Sequence, residues 1–203
     1  MRPEDLAPSC AALSLPARCI SPEGPIDIPG RGRAWWSADA GTDAQGSDRP
    51  RDLHRFHPPG RVKARSALSG LLRELNATGK DRPLILGGFS QGAMLATELV
   101  LHRDCAAKGL VLLSSSRIAF SDWEPLGSSL RGLHVLVSHG RNDPDLHFSA
   151  GVALKEWLHH AEANVTWVPF EGGHQITLPV WRAVRHFVRR TVCPRDHGTH
   201  PSS

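Results

Sequence analysis

The chain has 203 residues, of which 40% are hydrophobic, and a formal net charge of +4. These values fit one globular domain with a sizeable core, and no apolar run approaches the ~20 residues that a membrane-spanning helix needs. The arginines near the C-terminus are not interleaved with aromatic residues, as base stacking would require. We therefore expect no nucleic-acid partner and no integral association with a membrane.

The N-terminal region lacks the features of a secretory signal. Its one apolar segment, residues 10–15, is shorter than the roughly 7–15-residue hydrophobic region of a signal peptide and follows Glu4 and Asp5. Four cysteines show neither paired nor metal-like spacing: Cys10, Cys19, Cys105 and Cys193. We interpret them as reduced thiols of a cytoplasmic protein.

Residues 31–60 are rich in Gly, Pro, Asp and Arg, a composition that predicts a long surface loop. Residues 62–75 then predict a helix with one apolar face turned inward. That face consists of four leucines: Leu68, Leu71, Leu72 and Leu75.

The most informative segment is Gly88-Phe89-Ser90-Gln91-Gly92. Residues 83–87 before it predict a short buried strand, and residues 93–101 after it predict a helix. A serine in so tight a turn needs a strained backbone, and glycines two places on either side remove Cβ atoms that would clash. The turn would place the Ser90 hydroxyl at the positive end of the helix, with the Gln91 backbone N–H aimed at a developing oxyanion. The segment predicts the nucleophile elbow of an α/β-hydrolase.

A plain glycine-rich turn or a phosphate-binding loop is the alternative interpretation of this segment. The chain contains neither G-x-x-x-x-G-K-[ST] nor G-x-G-x-x-G, which weakens the nucleotide-binding alternatives. The nucleophile interpretation requires an acid and a histidine further along the chain, each just after a strand.

Both are present. Residues 109–114 and 133–138 predict two more buried strands, and the second leads into His139-Gly140-Arg141-Asn142-Asp143-Pro144. Asp143 is thus expected in a loop at the C-terminal end of a strand, the edge at which open α/β sheets bind their ligands. Residues 150–161 predict a helix with one apolar stripe.

Residues 164–170 predict a fourth strand, followed by Glu171-Gly172-Gly173-His174, so His174 is expected at the same edge. A last amphipathic helix follows. It should bury Val180, Val184, Phe187 and Val188 and expose Arg182, Arg185, Arg189 and Arg190.

The order Ser, Asp, His predicts a division of labour. Ser90 would attack once His174 accepts its proton, while Asp143 would hold the imidazole in one tautomer. An acyl-enzyme on Ser90 would result, and water activated by His174 would release the acid.

Other residues compete for these roles. Asp145 is close enough in sequence to replace Asp143 as the acid. Asp122 follows the strand predicted over residues 109–114, where some hydrolases place the acid. The pairs His54/His57 and His159/His160 suggest a metal site, but no cysteine or carboxylate pattern completes one. We expect these histidines on the surface and predict no metal.

Three segments in order resemble the phospholipase/carboxylesterase family, which includes the acyl-protein thioesterases. They are the segment around Ser90 (residues 87–94), the segment ending in Asp143-Pro144, and Phe170-Glu171-Gly172-Gly173-His174. The resemblance extends over residues 3–190. It implies a serine hydrolase that acts without a cofactor on carboxylic esters, acyl thioesters or lysophospholipids. In this family Asp143 and His174 match the acid and base, which favours Asp143 over Asp145.

The chain departs from the family pattern at its N-terminus. Family members begin with two or three strands, the last ending in an H-G-x-G-like loop that supplies the second oxyanion donor. Here residues 1–8 resemble the helix after that loop, and residues 15–25 resemble the next strand. We therefore expect a three-layer fold with a mostly parallel sheet that lacks the N-terminal strands, including the one that carries the H-G loop. Either the strands around Ile20 and Ile85 pair directly, or the fold is marginally stable.

A misplaced start codon or a truncated gene would explain this departure, and the codons upstream of Met1 test it. The expected organisation is one N-terminally incomplete domain over residues 1–192 and a disordered tail over residues 193–203. Losing one oxyanion donor lowers kcat by about 10²–10³. The alternative to an active esterase is therefore a weak or inactive hydrolase-fold protein that at most binds a ligand.

Trp35 and Trp36 lie in a stretch that resembles the family's acyl pocket. One of them would then wall that pocket or contact a head group. Adjacent tryptophans in a loop more often fill the edge of the core, so both interpretations remain open.

Overall fold

The computed structural model describes residues 17–28, 32–37, 51–79 and 82–192. The described strands are β1 (Ile26–Ile28), β2 (Gly32–Ala34), β3 (Ile85–Phe89), β4 (Gly109–Leu113), β5 (His134–Gly140) and β6 (Asn164–Phe170). The described helices are α1 (Arg61–Glu74), α2 (Gln91–Leu101), α3 (Phe120–Trp123), α4 (Phe148–His160) and α5 (Leu178–Val192). A 3₁₀ helix, Glu124–Leu130, follows α3.

A parallel sheet with the strand order β3-β4-β5-β6 forms the centre of the described structure. Its strands begin level with one another, since Ile85 pairs with Gly109, Gly109 with His134, and His134 with Asn164. The C-terminal ends of β3 to β6 therefore meet at one edge of the sheet. This register brings the segments that follow β3, β5 and β6 together, although they are far apart in sequence.

Two hydrophobic clusters cover the two faces of the sheet. Alternate residues of β4 point to opposite faces, with Leu110 and Leu112 in one cluster and Val111 and Leu113 in the other. Helices α2 and α4 pack on the first face and α5 on the second. Strands buried on both faces require continuous apolar runs, which is why the sequence of β4 is so apolar. The predicted three-layer α/β architecture is confirmed.

The last helix agrees with its predicted pattern. Its buried residues are Val180, Val184, Phe187 and Val188, and its exposed arginines are Arg182, Arg185, Arg189 and Arg190. The bounds of β6 match the prediction, and those of α2 and β4 differ from it by one or two residues. β5 continues for two residues past its predicted end, so His139 and Gly140 belong to the strand and not to the loop.

The outer side of β3 differs from prediction. Within the described residues, β3 pairs only with β4, and the expected strand around Ile20 is not formed: residues 18–20 are irregular, and Ile20 is 43% exposed. The two flanking strands therefore do not close up. No described strand lies beside residues 18–20, so this segment makes none of the ladder hydrogen bonds that stabilise a strand.

An open cleft of about 2350 Å³ extends along β3 as a result. The prediction that α1 turns four leucines inward is wrong in part. All four leucines are only half-buried and line the cleft, and of the four only Leu68 packs against a described core cluster. The fully buried residues of α1 are Ala64 and Ser69.

The predicted surface loop over residues 31–60 is also wrong at one point, because β2 pairs there with β1 in antiparallel register. The predicted helix over residues 1–8, Cys10, and the tail over residues 193–203 lie outside the described residues. Among the described helices, none has both the length and the apolar character needed to cross a bilayer.

Candidate active site

Ser90 adopts a conformation that non-glycine residues rarely accept, with φ 54° and ψ −120°. Its N–H donates to the Leu113 carbonyl of β4 over 2.9 Å, and its carbonyl accepts from Ala93 N and Met94 N at the start of α2. The surrounding structure thus enforces the strain from both sides. Ser90 is half-buried and lines the cleft. The strained strand-to-helix turn expected at Ser90 is therefore present.

The two glycines of this turn are not equivalent. A Cβ on Gly88 would overlap the backbone of Gly92 and Ala93, so β3 and α2 can approach only if Gly88 has no side chain. A Cβ on Gly92 would have Trp35 Nε1, 4.0 Å away, as its nearest neighbour. The steric prediction is therefore confirmed for Gly88 and wrong for Gly92.

Gln91 has two separate roles in the geometry. It is the first residue of α2, so its backbone N–H belongs to the first turn, in which N–H groups have no partner inside the helix. Its side chain points to another loop: Oε1 accepts from Trp35 N over 3.0 Å, and Nε2 donates to the Trp36 carbonyl over 3.2 Å. This side-chain role could not be predicted from sequence, since nothing in a local pattern indicates so distant a contact.

The two adjacent tryptophans differ in burial, which bears on whether they fill the core or wall the cleft. Trp36 is 2% exposed and belongs to the core cluster that packs on α2. Trp35 is half-buried and lines the cleft that also contains Ser90. Both tryptophans border the cleft, but Trp36 is buried in the core, whereas Trp35 is the more exposed of the two.

Asp143 is buried in the turn after β5, and both of its carboxylate oxygens accept hydrogen bonds. Oδ1 accepts from the N–H groups of Asp145 and Leu146, each over 2.9 Å, and Oδ2 accepts from His174 Nδ1 over 2.8 Å. Burial by itself raises the pKa of Asp143, but the hydrogen bonds from His174, Leu146 and Asp145 outweigh it. The pKa of Asp143 therefore lies below its usual range, and the group is a carboxylate at neutral pH.

His174 lies in the loop after β6, with its ring 4.6 Å from the ring of Phe89, the residue before the elbow serine. Because the Asp143 carboxylate can only accept, Nδ1 of His174 carries the proton, which leaves Nε2 as an acceptor. His174 is thus bonded to Asp143 and lines the same cleft as Ser90, and all three residues follow strands whose C-terminal ends meet at one edge of the sheet.

The competing acids occupy other positions. Asp145 is exposed, and its backbone N–H supports Asp143. Asp122 lies in α3 and pairs with Arg61 Nη2 at 2.5 Å, which lowers the pKa of Asp122. His174 Nδ1 is bonded to Asp143, not to either competitor.

Asp143, Asp145 and His174 are also the described residues that could hold a metal, with their ligand atoms within 4.8 Å of one another. Hydrogen bonds already engage Asp143 and Nδ1 of His174, so the cluster is explained by hydrogen bonding. The predicted surface histidines have local partners: His54 lies beside Asp52, His57 beside Asp122, and the His160 ring contacts the Glu156 carbonyl.

His139, at the end of β5, is a second feature that the sequence analysis missed. Its ring is completely buried, and Nε2 lies 3.1 Å from the Leu146 carbonyl and 3.5 Å from Asp143 Oδ2. It stands in the quoted segment before Asp143, but sequence could not show that the strand continues through it and turns its ring inward.

Comparison with known proteins supports the same fold. The chain is similar to acyl-protein thioesterase 1 of Neurospora crassa, with 26% identity over 109 residues that cover 52% of this chain and 44% of the relative. It is 29% identical to acyl-protein thioesterase 1 of Gibberella zeae over 119 residues, 56% of this chain and 50% of that protein. The chain thus spans about half the length of the curated relatives that it matches.

Solved structures resemble the chain over a greater length. Arabidopsis thaliana SOBER1 has a TM-score of 0.71 and 18% identity, with 93% of this chain and 92% of that one covered. The Bacillus cereus carboxylesterase has a TM-score of 0.68 and 22% identity, with 94% and 84% covered. At such identities the likeness establishes the fold, which is that of the α/β-hydrolases. The profile of one family, Phospholipase/Carboxylesterase, matches residues 19–192. The chain therefore belongs to the phospholipase/carboxylesterase family.

Proposed function

We propose that the protein is a serine hydrolase that cleaves carboxylic esters through an acyl-enzyme on Ser90. The observation that carries the proposal is the 2.8 Å bond from His174 Nδ1 to Asp143, in a cleft that also contains the strained elbow serine. A buried carboxylate that fixes the tautomer of an imidazole, in a cleft shared with such a serine, supports an activated nucleophile.

In the first half of the reaction, His174 Nε2 takes the Ser90 hydroxyl proton while Oγ bonds to the substrate carbonyl carbon. The carbonyl electron pair moves onto oxygen, where the Gln91 backbone N–H donates a hydrogen bond to it. As the tetrahedral intermediate collapses, the bond to the leaving oxygen or sulfur breaks, and His174 gives its proton to that atom. The acyl group stays on Ser90.

In the second half, water takes the place of the leaving group. It loses a proton to His174 Nε2 and attacks the acyl carbon, and the bond to Ser90 Oγ then breaks. The proton returns to Oγ, the carboxylic acid leaves, and the resting enzyme is restored. Asp143 remains ionised throughout and stabilises the imidazolium.

The substrate class follows from the apolar surroundings of the cleft. Trp35, Leu53, Phe56 and Leu146 are among its lining residues, which suits an acyl chain better than a polar group. Short-chain esters, acyl thioesters and lysophospholipids all present such a chain. The names of the two curated relatives favour a thioester. Cys19 and Cys105 are free thiols, which supports a cytoplasmic location as part of the proposal.

The second candidate is a catalytically weak hydrolase-fold protein that binds a ligand. The open outer side of β3 favours it, because a cleft of about 2350 Å³ is far larger than a single acyl chain needs. Both candidates share the fold and differ in whether Ser90 is activated.

A fluorophosphonate probe separates the two, because it labels only activated serines. We expect labelling of the folded protein that disappears in Ser90→Ala, together with hydrolysis of a short p-nitrophenyl ester. Ser115→Ala, which changes a buried serine outside the proposed mechanism, is the matched control and should label normally. Folded wild-type protein that fails to label would refute the esterase and favour the binding module.

A further inference from the structure

We infer that His139 is a positioning residue whose ring N–H holds the turn of residues 143–146 so that Asp143 faces His174. Its meaning for catalysis rests on the proposed function. The side chain does not line the cleft and is completely buried, so it acts through Asp143 and not on the substrate.

The proton on His139 is fixed by its neighbour. Nε2 lies 3.1 Å from the Leu146 carbonyl, which can only accept, so Nε2 carries the hydrogen. The same nitrogen lies 3.5 Å from Asp143 Oδ2, the oxygen that receives the His174 hydrogen bond. One N–H thus faces both ends of the turn, from Asp143 to Leu146.

Asp143 closes this turn from within. Its Oδ1 accepts from the N–H groups of Asp145 and Leu146, so Oδ1 is committed to the backbone and Oδ2 is left for His174. If the Leu146 carbonyl lost its tether, the turn could rotate and carry the carboxylate with it. A displacement of 1 Å at a reacting group lowers a rate by about 10²-fold.

Helix α4 leaves room for this ring. A Cβ on Gly151 would come within 2.5 Å of His139 Nδ1, so a side chain at this helical position would displace the imidazole. Phe148, one turn earlier, meets the ring edge-on with centroids 6.1 Å apart. Ring orientation is therefore determined by strand and helix together.

The imidazole is held in its neutral form. Nδ1 has no hydrogen-bond partner among the described residues, and burial lowers the pKa of His139. The ionisable groups that act on it are Asp143, which favours the charged form, and His174 and His147, which disfavour it. A neutral ring with its one N–H on the turn is suited to positioning and not to proton transfer.

Two substitutions of different reach test the inference. His139→Gln keeps an amide donor near the place of Nε2, whereas the shorter His139→Asn cannot reach the Leu146 carbonyl. We expect His139→Gln to keep kcat for a p-nitrophenyl ester within about tenfold, and His139→Asn to lose about 10²-fold with KM little changed. Ser138→Ala, at the buried neighbouring position outside the machinery, is the control and should behave as wild type.

A readout that does not need catalysis separates this inference from the proposed function. The proton between His174 Nδ1 and Asp143 should give a low-field NMR signal in the wild type, in Ser90→Ala and in His139→Gln. It should vanish in His139→Asn at temperatures where the variant is still folded. If wild-type protein fails to react with fluorophosphonate, the proposed function fails, yet the NMR comparison still decides the positioning role.

Gly151→Ala approaches the same contact from α4 without altering His139. In the otherwise wild-type protein, Gly151→Ala should lower kcat and weaken the NMR signal. In the His139→Asn background it should add little, because both substitutions disrupt the same interaction of the His139 ring. A folded His139→Asn with a wild-type kcat and signal would overturn the inference. Equal losses of kcat and of the NMR signal in His139→Gln and His139→Asn, in step with their melting temperatures, would also overturn it. A set of variants that all fail to fold would do the same, because either outcome would indicate a merely structural histidine.

Discussion

The backbone N–H of Trp35 donates to the side chain of Gln91 over 3.0 Å, which joins the residue after the elbow serine to the loop that walls the cleft. A second bond from Gln91 Nε2 to the Trp36 carbonyl completes the link. Gln91, whose main chain would face the oxyanion in the proposed reaction, therefore also holds the loop that contains Trp35. The side chain and the main chain of Gln91 thus have different partners.

Gln91→Ala should separate these two roles, because it removes the side chain and keeps the backbone N–H. Each lost hydrogen bond contributes about 0.5–1.5 kcal/mol, so we expect urea denaturation to show a loss of about 1–3 kcal/mol. Hydrolysis of long-chain esters should fall more than fluorophosphonate labelling. Gln91→Glu, which keeps the acceptor for Trp35 N, is the control and should lose less. Equal loss of labelling and of long-chain hydrolysis would contradict the separation.

The two glycines around Ser90 should respond differently to alanine. Gly88→Ala forces a Cβ into the backbone of α2, and we expect a loss of about 4 kcal/mol or a failure to fold. Gly92→Ala meets only ordinary contact and adds a residue that favours helix, so its unfolding free energy should change by about 1 kcal/mol or less. Guanidinium titrations of both variants measure the difference. A severe effect at Gly92 would indicate a neighbour that the steric argument omits.

The free energy of unfolding should decrease in two steps as the pH is lowered. The pKa of His139 is lowered in the folded state, so its contribution is present above the usual histidine pKa of about 6.5 and is lost as pH falls through the lower folded value. The pKa of Asp143 is also lowered, and its contribution is lost below about pH 4 by the same reasoning. Urea midpoints between pH 7.5 and pH 3 should show both steps.

Substitution assigns each step to its group. His139→Gln should flatten the upper step, and Asp143→Asn the lower one. Asp143→Asn should also lower kcat by about 10⁴-fold, since it favours the wrong imidazole tautomer. An upper step that persists unchanged in His139→Gln would place the titrating group elsewhere.

A comparison of a buried leucine in α2 with a cleft-lining leucine in α1 tests whether the cleft is open in solution. Leu95 in α2 is 0% exposed, and Leu95→Ala should cost about 2–5 kcal/mol. Leu72 in α1 is half-buried at the cleft, so Leu72→Ala should cost about 1 kcal/mol or less. Thermal and chemical unfolding of the pair provide the measurement. If Leu72→Ala is as damaging as Leu95→Ala, the cleft is covered in solution.

The sequence pattern was sufficient to predict features that depend on residues close together in the chain or on the regular pairing of strands. The apolar run of β6 was enough to predict its bounds, and parallel pairing of strands that start level places Ser90, Asp143 and His174 after β3, β5 and β6 at one sheet edge. Contacts between distant segments could not be predicted from local sequence pattern. The bond from Gln91 to Trp35 spans 56 positions, and the burial of His139 depends on a glycine in another element.

The region before β3 shows why composition can mislead. Ile20 lies in a segment with strand-like residues, but a strand forms only where a neighbour accepts its hydrogen bonds. Leu71, Leu72 and Leu75 have the spacing of an inward helix face, but among the described residues no layer covers them. In both cases the neighbour that the predicted element requires is not among the described residues.

The outer side of β3 has a practical consequence for handling the protein. Its main-chain N–H and C=O groups lack a neighbouring strand within the described part of the chain, and such an edge is a template for strands of other molecules. Concentrated samples should therefore aggregate by edge-to-edge pairing, in proportion to concentration and regardless of whether Ser90 is intact. A lysine placed on this edge would repel a second copy and keep the protein monodisperse.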